Sequence, residues 1–330
     1  MVEEPAPASI SRPRRDTGDV GRLVGRARDG DPRAVARLIS LVEDESPLLR
    51  EVTAALAPYT GHASIVGITG SPGVGKSTST SALVGELRKA GRRVGVLAVD
   101  PSSPFSGGAL LGDRVRMQDH ALDRDVYIRS MASRGHLGGL AWSTPQAIRV
   151  LDAAGCDVVL IETVGVGQSE VEIAGLADTT LVLIAPGMGD GIQAAKAGIL
   201  EIGDVYVINK ADRDGADTLR RELRSMLALA DRPEGGWRPP IVKTIASKSE
   251  GLDEVVAEID RHQGWLVSSG ELEARRTRRA RGEVESIALT ALRARWGDVH
   301  GRSELDDLAR QVAAGESDPY AAAETLLAEL

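Results

Sequence analysis

The chain has 330 residues, 42% of them hydrophobic but only 3% aromatic, with Phe105 the sole phenylalanine, so its core must be built from Val, Leu, Ile and Ala. A formal charge of -8 at pH 7 argues against nonspecific nucleic-acid binding, which needs a net positive face to displace phosphate counterions. The single cysteine, Cys156, excludes an intramolecular disulfide and a thiolate metal cage, and it reads as a small core residue. No stretch approaches the roughly 20 apolar residues that a membrane-spanning helix needs. Residues 1–15 carry Glu3, Glu4, three prolines and three arginines and lack the apolar segment of a signal peptide. The expectation is a cytoplasmic protein, without membrane partners, that begins in a short disordered tail over 1–15.

Helical spacing appears first over residues 20–27, 33–42 and 47–56, with Asp31-Pro32 as a cap and first turn. These make an N-terminal helical extension over 16–60. From residue 61 apolar runs at 64–68, 94–99, 157–162, 180–184, 205–209 and 241–244 alternate with helix-like stretches. Fully apolar strands between amphipathic helices mean an α/β domain, over 61–264, with a mostly parallel sheet covered by helices on both faces. Ligands then belong at the carboxyl ends of the strands. Beyond Gly264 the composition shifts to charged helix formers over 271–281, 283–296, 304–314 and 320–330, with residues 315–319 separating the last two. Such a C-terminal arm, 265–330, either packs on the core or pairs with another chain.

Residues 70–77 read Gly-Ser-Pro-Gly-Val-Gly-Lys-Ser, a complete G-x-x-x-x-G-K-[ST] loop between a strand-like run and a helix-like one. Gly70, Gly73 and Gly75 let the backbone turn its N–H groups toward phosphate oxygens, with Ser71, Pro72, Val74 and Thr78 completing the cradle. The following helix points its positive end at the same anion. Lys76 is assigned to the β- and γ-phosphates and Ser77 to Mg2+, which makes this a P-loop NTPase. Further oxygen ligands for Mg2+ are Asp100, Asp113 and Glu162, and with Lys76 these form the candidate catalytic set.

Asn209-Lys210-Ala211-Asp212 follows the run 205–208 and matches the N-K-x-D element that selects guanine. The Asp212 carboxylate can accept from the N1–H and the 2-amino group of guanine, a donor pair adenine lacks. Lys210 can lie on the base face and Asn209 can hold the loop. Ala246-Ser247-Lys248, after the run 241–244, offers a backbone N–H to guanine O6. GTP and GDP are therefore the expected nucleotides. Glu162-Thr163-Val164-Gly165 stands where GTPases usually have D-x-x-G, with the Gly165 N–H beside the γ-phosphate. No glutamine follows Gly165 directly to orient the attacking water, and Gln168 comes three positions later, so slow intrinsic turnover is expected.

Asp100-Pro-Ser-Ser-Pro, Gly107-Gly, the run 111–117, the run 161–170, Arg134-Gly-His-Leu-Gly-Gly and Asn209 to Asp212 together resemble the methylmalonyl-CoA mutase-associated GTPases, the MeaB/ArgK type, over about residues 45–265. The resemblance implies a P-loop GTPase that serves an adenosylcobalamin-dependent acyl-CoA mutase as a chaperone, gating cofactor loading and protecting or reactivating the mutase. It also implies that residues 187–196, with Asp190, Gln193 and Lys196, couple nucleotide state to that partner, and that the C-terminal helices are the dimerisation arm of a homodimer. Gly191 and Ala194-Ala195 depart from the family's more usual residues within that coupling loop. Two rival readings are a small-molecule kinase, which Asp212 disfavours, and a metal-delivering GTPase. The latter wants a Cys/His cluster, whereas Cys156 and five scattered histidines are what the chain has.

Overall fold

The computed structural model describes residues 20–44, 46–101, 118–120, 122–133, 143–163, 169–187, 201–229, 235–296 and 303–328. The expected tail over 1–15 lies outside them. Helix α1 spans Val20–Arg28, α2 Pro32–Glu43 and α3 Leu49–Leu56. Asp31 starts α2 as its sequence position requires: the carboxylate accepts the N–H groups of Arg33 and Ala34 at 2.9 and 3.4 Å, and Pro32 occupies the first turn.

Seven strands follow, β1 Ser64–Thr69, β2 Val94–Pro101, β3 Val126–Ser133, β4 Val158–Thr163, β5 Thr179–Ile184, β6 Val205–Ile208 and β7 Ile241–Lys243. They form one parallel sheet in the order β3-β2-β4-β1-β5-β6-β7. Between them run α4 Lys76–Lys89, α5 Thr144–Ala153, α6 Ser169–Leu176, α7 Ala216–Leu229 and α8 Leu252–Ser269. Every residue of β4, β5 and β6 is buried, as strands covered on both faces must be. On one face Val24, Leu38 and Val52 of the first three helices share a core with Leu97 of β2, Ile161 of β4 and Leu151 of α5. On the other, Leu83 and Leu87 of α4 and Val255 and Ile259 of α8 meet Val66, Val96, Leu160 and Leu181. Each such side chain contributes about 1.5–3 kcal/mol on burial, and the core is aliphatic as the scarcity of aromatics requires.

The sequence reading placed six strands, and β3 is the seventh. It pairs with β2 from Val94↔Val126 to Pro101↔Ser133. At the sheet's edge only one flank is paired, so it needs no continuous apolar run: Tyr127 and Met131 are buried while Arg129 and Ser130 are partly exposed. A second difference lies at Gly282, where two helices were expected and one continuous helix, α9 Glu271–Trp296, is found. One interior glycine costs about 1 kcal/mol in a helix, which the arginines, glutamates and alanines on either side outweigh.

Helix α8 passes through Gly264, the expected end of the α/β domain. The chain divides into two compact units, up to Leu272 and from Glu273 onward. In the second unit, α10 Ser303–Ala313 and α11 Pro319–Ala328 pack on one another, and α9 exposes Val284, Ile287, Leu289 and Leu292.

Candidate nucleotide site

Strand β1 lies at the centre of the sheet, between β4 and β5, and its carboxyl end opens into residues 70–75. Gly70 has φ 141° and Gly75 has φ 97°. A Cβ on Gly70 would stand 2.3 Å from the carbonyl oxygen of Leu183 on β5, and one on Gly75 would stand 2.5 Å from Asn209 Nδ2. Only glycine fits either place. The loop leads straight into α4, whose first turn has no side-chain cap. Its N–H groups and the positive helix end therefore face the loop, an arrangement that favours an anion.

Lys76 is 8% exposed and folds back over this loop, donating from Nζ to the carbonyl oxygens of Gly70 at 2.5 Å and Ser71 at 3.3 Å. Ser77 Oγ donates to Glu162 Oε1 at 2.6 Å. Glu162 is buried near the end of β4, in register with Ile68 of β1 and Ala98 of β2. Hydroxyl and carboxylate are hard oxygen donors brought together from two strand ends, a pairing that suits Mg2+. Asp100 stands two residues past Ala98 at the end of β2, opposite Ala132. Asp113, Gly165, Gln168, Asp190, Gln193 and Lys196 lie outside the described residues.

Strand β6 ends at Ile208, and at Asn209 the second half of the site begins. Asn209 is 3% exposed; its Nδ2 donates to Val74 O at 2.9 Å, while Oδ1 accepts the Ala246 N–H at 3.0 Å and Thr244 Oγ1 at 3.3 Å. One side chain thus joins the glycine loop to the turn after β7. Lys210 adopts a left-handed backbone, φ 56°, which carries its Nζ to Gly73 O at 2.6 Å. Asp212 and Lys248 are both half-exposed and face each other at 4.0 Å. The Asp212 carboxylate is therefore accessible to the N–H donors of a base. Ala246, expected to turn its N–H toward guanine O6, gives it to Asn209 Oδ1, while Ser247 and Lys248 continue the same short turn.

The sequence reading brought together Lys76, Ser77 and Glu162, and separately Asn209, Lys210, Asp212 and Ala246–Lys248. It missed Thr244, which supports Asn209. A threonine two residues before the Ala-Ser-Lys stretch, at the end of a strand, was the available signal.

Comparison with known proteins places this geometry among relatives. The profile of the family described as "Methylmalonyl Co-A mutase-associated GTPase MeaB" matches residues 35–298. A protein of Pyrococcus abyssi provisionally named a GTPase is 48% identical over 94% of this chain and 97% of its own. GTPase ArgK of Escherichia coli is 38% identical over 76% of this chain and 78% of its own. A crystal structure described as a LAO/AO transport system kinase superposes with a TM-score of 0.70 at 28% identity, covering 93% of this chain and 96% of that one.

Proposed function

This chain belongs to the methylmalonyl-CoA mutase-associated GTPases of the MeaB type, and from that premise we propose that it is a GTP-hydrolysing chaperone of an adenosylcobalamin-dependent acyl-CoA mutase. The GTPase activity comes with the family. The observation that carries the assignment of residues is the Asn209 side chain, which ties the phosphate loop at Val74 to the base-facing turn at Ala246.

In this reading the N–H groups of residues 70–78 hold the α- and β-phosphates, and Lys76 exchanges the carbonyls of Gly70 and Ser71 for β- and γ-phosphate oxygens. That exchange replaces neutral acceptors by charged ones, whose hydrogen bonds to an ammonium are roughly twice as strong. Ser77 and Glu162, with Asp100 and Asp113, would hold Mg2+, which would supply positive charge against the phosphates. Asp212 accepts from the guanine edge, Lys210 lies along the base, and Ala246, Ser247 and Lys248 close the pocket. Gly165 is assigned to the γ-phosphate from its place in the sequence. In the sequence no glutamine directly follows Gly165, which supports slow turnover by the chain alone.

The mutase partner is supported by the family's own description. Asp190, Gln193 and Lys196 are assigned to the coupling loop, and the exposed apolar residues Val284, Ile287, Leu289 and Leu292 of α9 support pairing with a second copy. Among the described residues no helix is long and apolar enough to cross a membrane, and the proposed location is the cytoplasm. Steady-state GTP turnover, measured alone and with methylmalonyl-CoA mutase, tests the proposal. Stimulation by the mutase is the expected result; GTP turnover indifferent to every adenosylcobalamin-dependent mutase tried would reject the chaperone role and leave the GTPase standing. Turnover of ATP in preference to GTP, with transfer to a small acceptor, would favour a kinase instead.

A further inference from the structure

Two backbone turns meet on the base side of the nucleotide site, and each bends through a left-handed residue that is not glycine. Lys210 and Ser249, both at φ 56°, are the only such residues among the described ones. A side chain in that region of backbone space is strained, and the strain persists only where neighbouring structure fixes the chain. Thr244, the residue directly after β7, is where both turns are fastened.

Thr244 is 1% exposed. Its N–H donates to Ile208 O at 2.9 Å, its carbonyl accepts the Ala211 N–H at 3.0 Å, and Oγ1 donates to Asn209 Oδ1 at 3.3 Å. Lys210 O accepts the Arg213 N–H at 3.0 Å, so Asp212 sits inside a turn whose second residue, Ala211, is pinned to Thr244. The other turn leaves from Thr244 and closes back on it. Ile245 and Glu250 exchange backbone hydrogen bonds at 3.0 and 3.3 Å, and a Cβ on Gly251 would stand 2.4 Å from Lys243 O and 3.4 Å from Thr244 Cα. The hydroxyl adds direction. An asparagine amide can be turned end for end with little change of shape, and only its oxygen accepts. With Thr244 Oγ1 and the Ala246 N–H both donating to Oδ1, Asn209 is held with Nδ2 toward Val74 O.

We propose that Thr244 is a positioning residue for guanine specificity. It does not touch the nucleotide; its hydroxyl orients Asn209 and its carbonyl holds Ala211, and together these set the place of Asp212 against the base. The inference rests on the assignment of Asp212 to the guanine edge and adds the residue that aims that carboxylate.

Inosine diphosphate (IDP) tests the aim, because its base keeps the N1–H and lacks the 2-amino group. A carboxylate placed for both donors favours GDP over IDP, and a misplaced one loses that preference. Affinities of the full chain for GDP and IDP are measured by competition against a fluorescent GDP analogue. Thr244→Val keeps the shape and removes the donor, whereas Thr244→Ser keeps the donor and gives up a methyl. The expected result is GDP bound at least fivefold more weakly by Thr244→Val, with the GDP-over-IDP ratio lowered at least threefold, and a parental ratio in Thr244→Ser. A parental ratio in Thr244→Val, even with both affinities reduced, overturns the inference and leaves Asp212 in its role. A ratio as low in Thr244→Ser as in Thr244→Val overturns it too, since the hydroxyl would then not be the cause. If Thr244→Val does not fold, Thr244→Ala and Thr244→Ser, which lack the same methyl and differ in the hydroxyl, carry the comparison, and equal ratios overturn it. A parent chain that binds GDP and IDP alike would overturn the guanine assignment of Asp212 itself, and this inference with it.

Discussion

Asn209→Ala should damage the protein twice, once in the fold and once at the nucleotide. The side chain is nearly inaccessible and makes three hydrogen bonds, to Val74 O, from the Ala246 N–H and from Thr244 Oγ1. At about 0.5–1.5 kcal/mol net for each, their loss removes about 2–4 kcal/mol and leaves the Val74 carbonyl and the Ala246 N–H without these partners. For a unit of this size each 1 kcal/mol moves the melting temperature by about 2–4 °C, so the nucleotide-free variant should melt about 5–15 °C lower. Urea unfolding without nucleotide gives the free energy directly. Affinity for a fluorescent GDP analogue reports the second effect: with the tie between loop and base turn cut, each must be ordered by the ligand, and at least a tenfold loss is expected, the equivalent of about 1.4 kcal/mol. Asn209→Asp separates the two sides of the residue. It keeps an acceptor for Ala246 and Thr244 but sets a carboxylate oxygen against Val74 O, so it should lose the loop contact and retain the turn. An Asn209→Ala chain within 0.5 kcal/mol of the parent in urea would refute the reasoning, because the three contacts would then contribute nothing.

Lys76→Ala should weaken GTP at least 100-fold by equilibrium binding; near-parental affinity would reject the loop assignment. Asp212→Asn should lower GTP-over-ATP preference at least tenfold in competition, since the amide cannot accept both guanine donors, and an unchanged preference would place base recognition elsewhere. Cys156 is buried and burial pushes its thiol up to about 12, so at pH 8 it should resist iodoacetamide in the folded chain and react once the chain is unfolded in guanidinium; fast labelling of the native protein would contradict its place in the core. The Arg88 guanidinium, hydrogen-bonded to Asp123, holds that carboxyl below its ordinary value of 3.8. The folded state therefore favours the charged form, and the stabilisation is present above pH 3.8 and lost as pH falls through the lower folded value. Asp123→Asn should be less stable than the parent at pH 6, with the gap closing in acid; a gap constant down to pH 2 would rule the pair out as its source.

What the sequence disclosed follows from what each feature demands of composition. The glycine loop was legible because backbone that turns its N–H groups inward under Leu183 and Asn209 excludes every residue with a Cβ, and that exclusion is written at Gly70 and Gly75. Buried strands were legible because both faces are covered, so Val158 to Ile161 of β4 and Leu181 to Ile184 of β5 read as unbroken apolar runs. Strand β3 escaped because an edge strand tolerates Arg129 and Ser130, and its pairing to β2 is a tertiary fact with no local periodicity to announce it. The Thr244–Asn209 contact escaped for a related reason: the register Ile208↔Lys243 brings the two strand ends level, and no spacing along the chain encodes that register.

The partners of Lys76 and Ser77 bear on how a nucleotide would bind. Lys76 Nζ rests on Gly70 and Ser71 carbonyls, and Ser77 Oγ rests on Glu162, so both groups assigned to phosphate and metal already have protein partners. Leaving a nearly buried ammonium or carboxylate without partners would cost several kcal/mol, and these contacts avoid it. On the proposed assignment, binding swaps partners rather than adding them, and the gain is the difference between a carbonyl and a phosphate at Lys76, and between a hydroxyl and a cation at Glu162. The second difference is available only with the metal. Nucleotide affinity should therefore depend on Mg2+ through Glu162, and Glu162→Gln, which keeps the hydrogen bond with Ser77 Oγ but removes the charge, should bind GDP comparably to the parent in EDTA and fail to gain affinity when Mg2+ is added. Equal Mg2+ enhancement in Glu162→Gln and in the parent, by the fluorescent GDP titration, would remove Glu162 from the metal set.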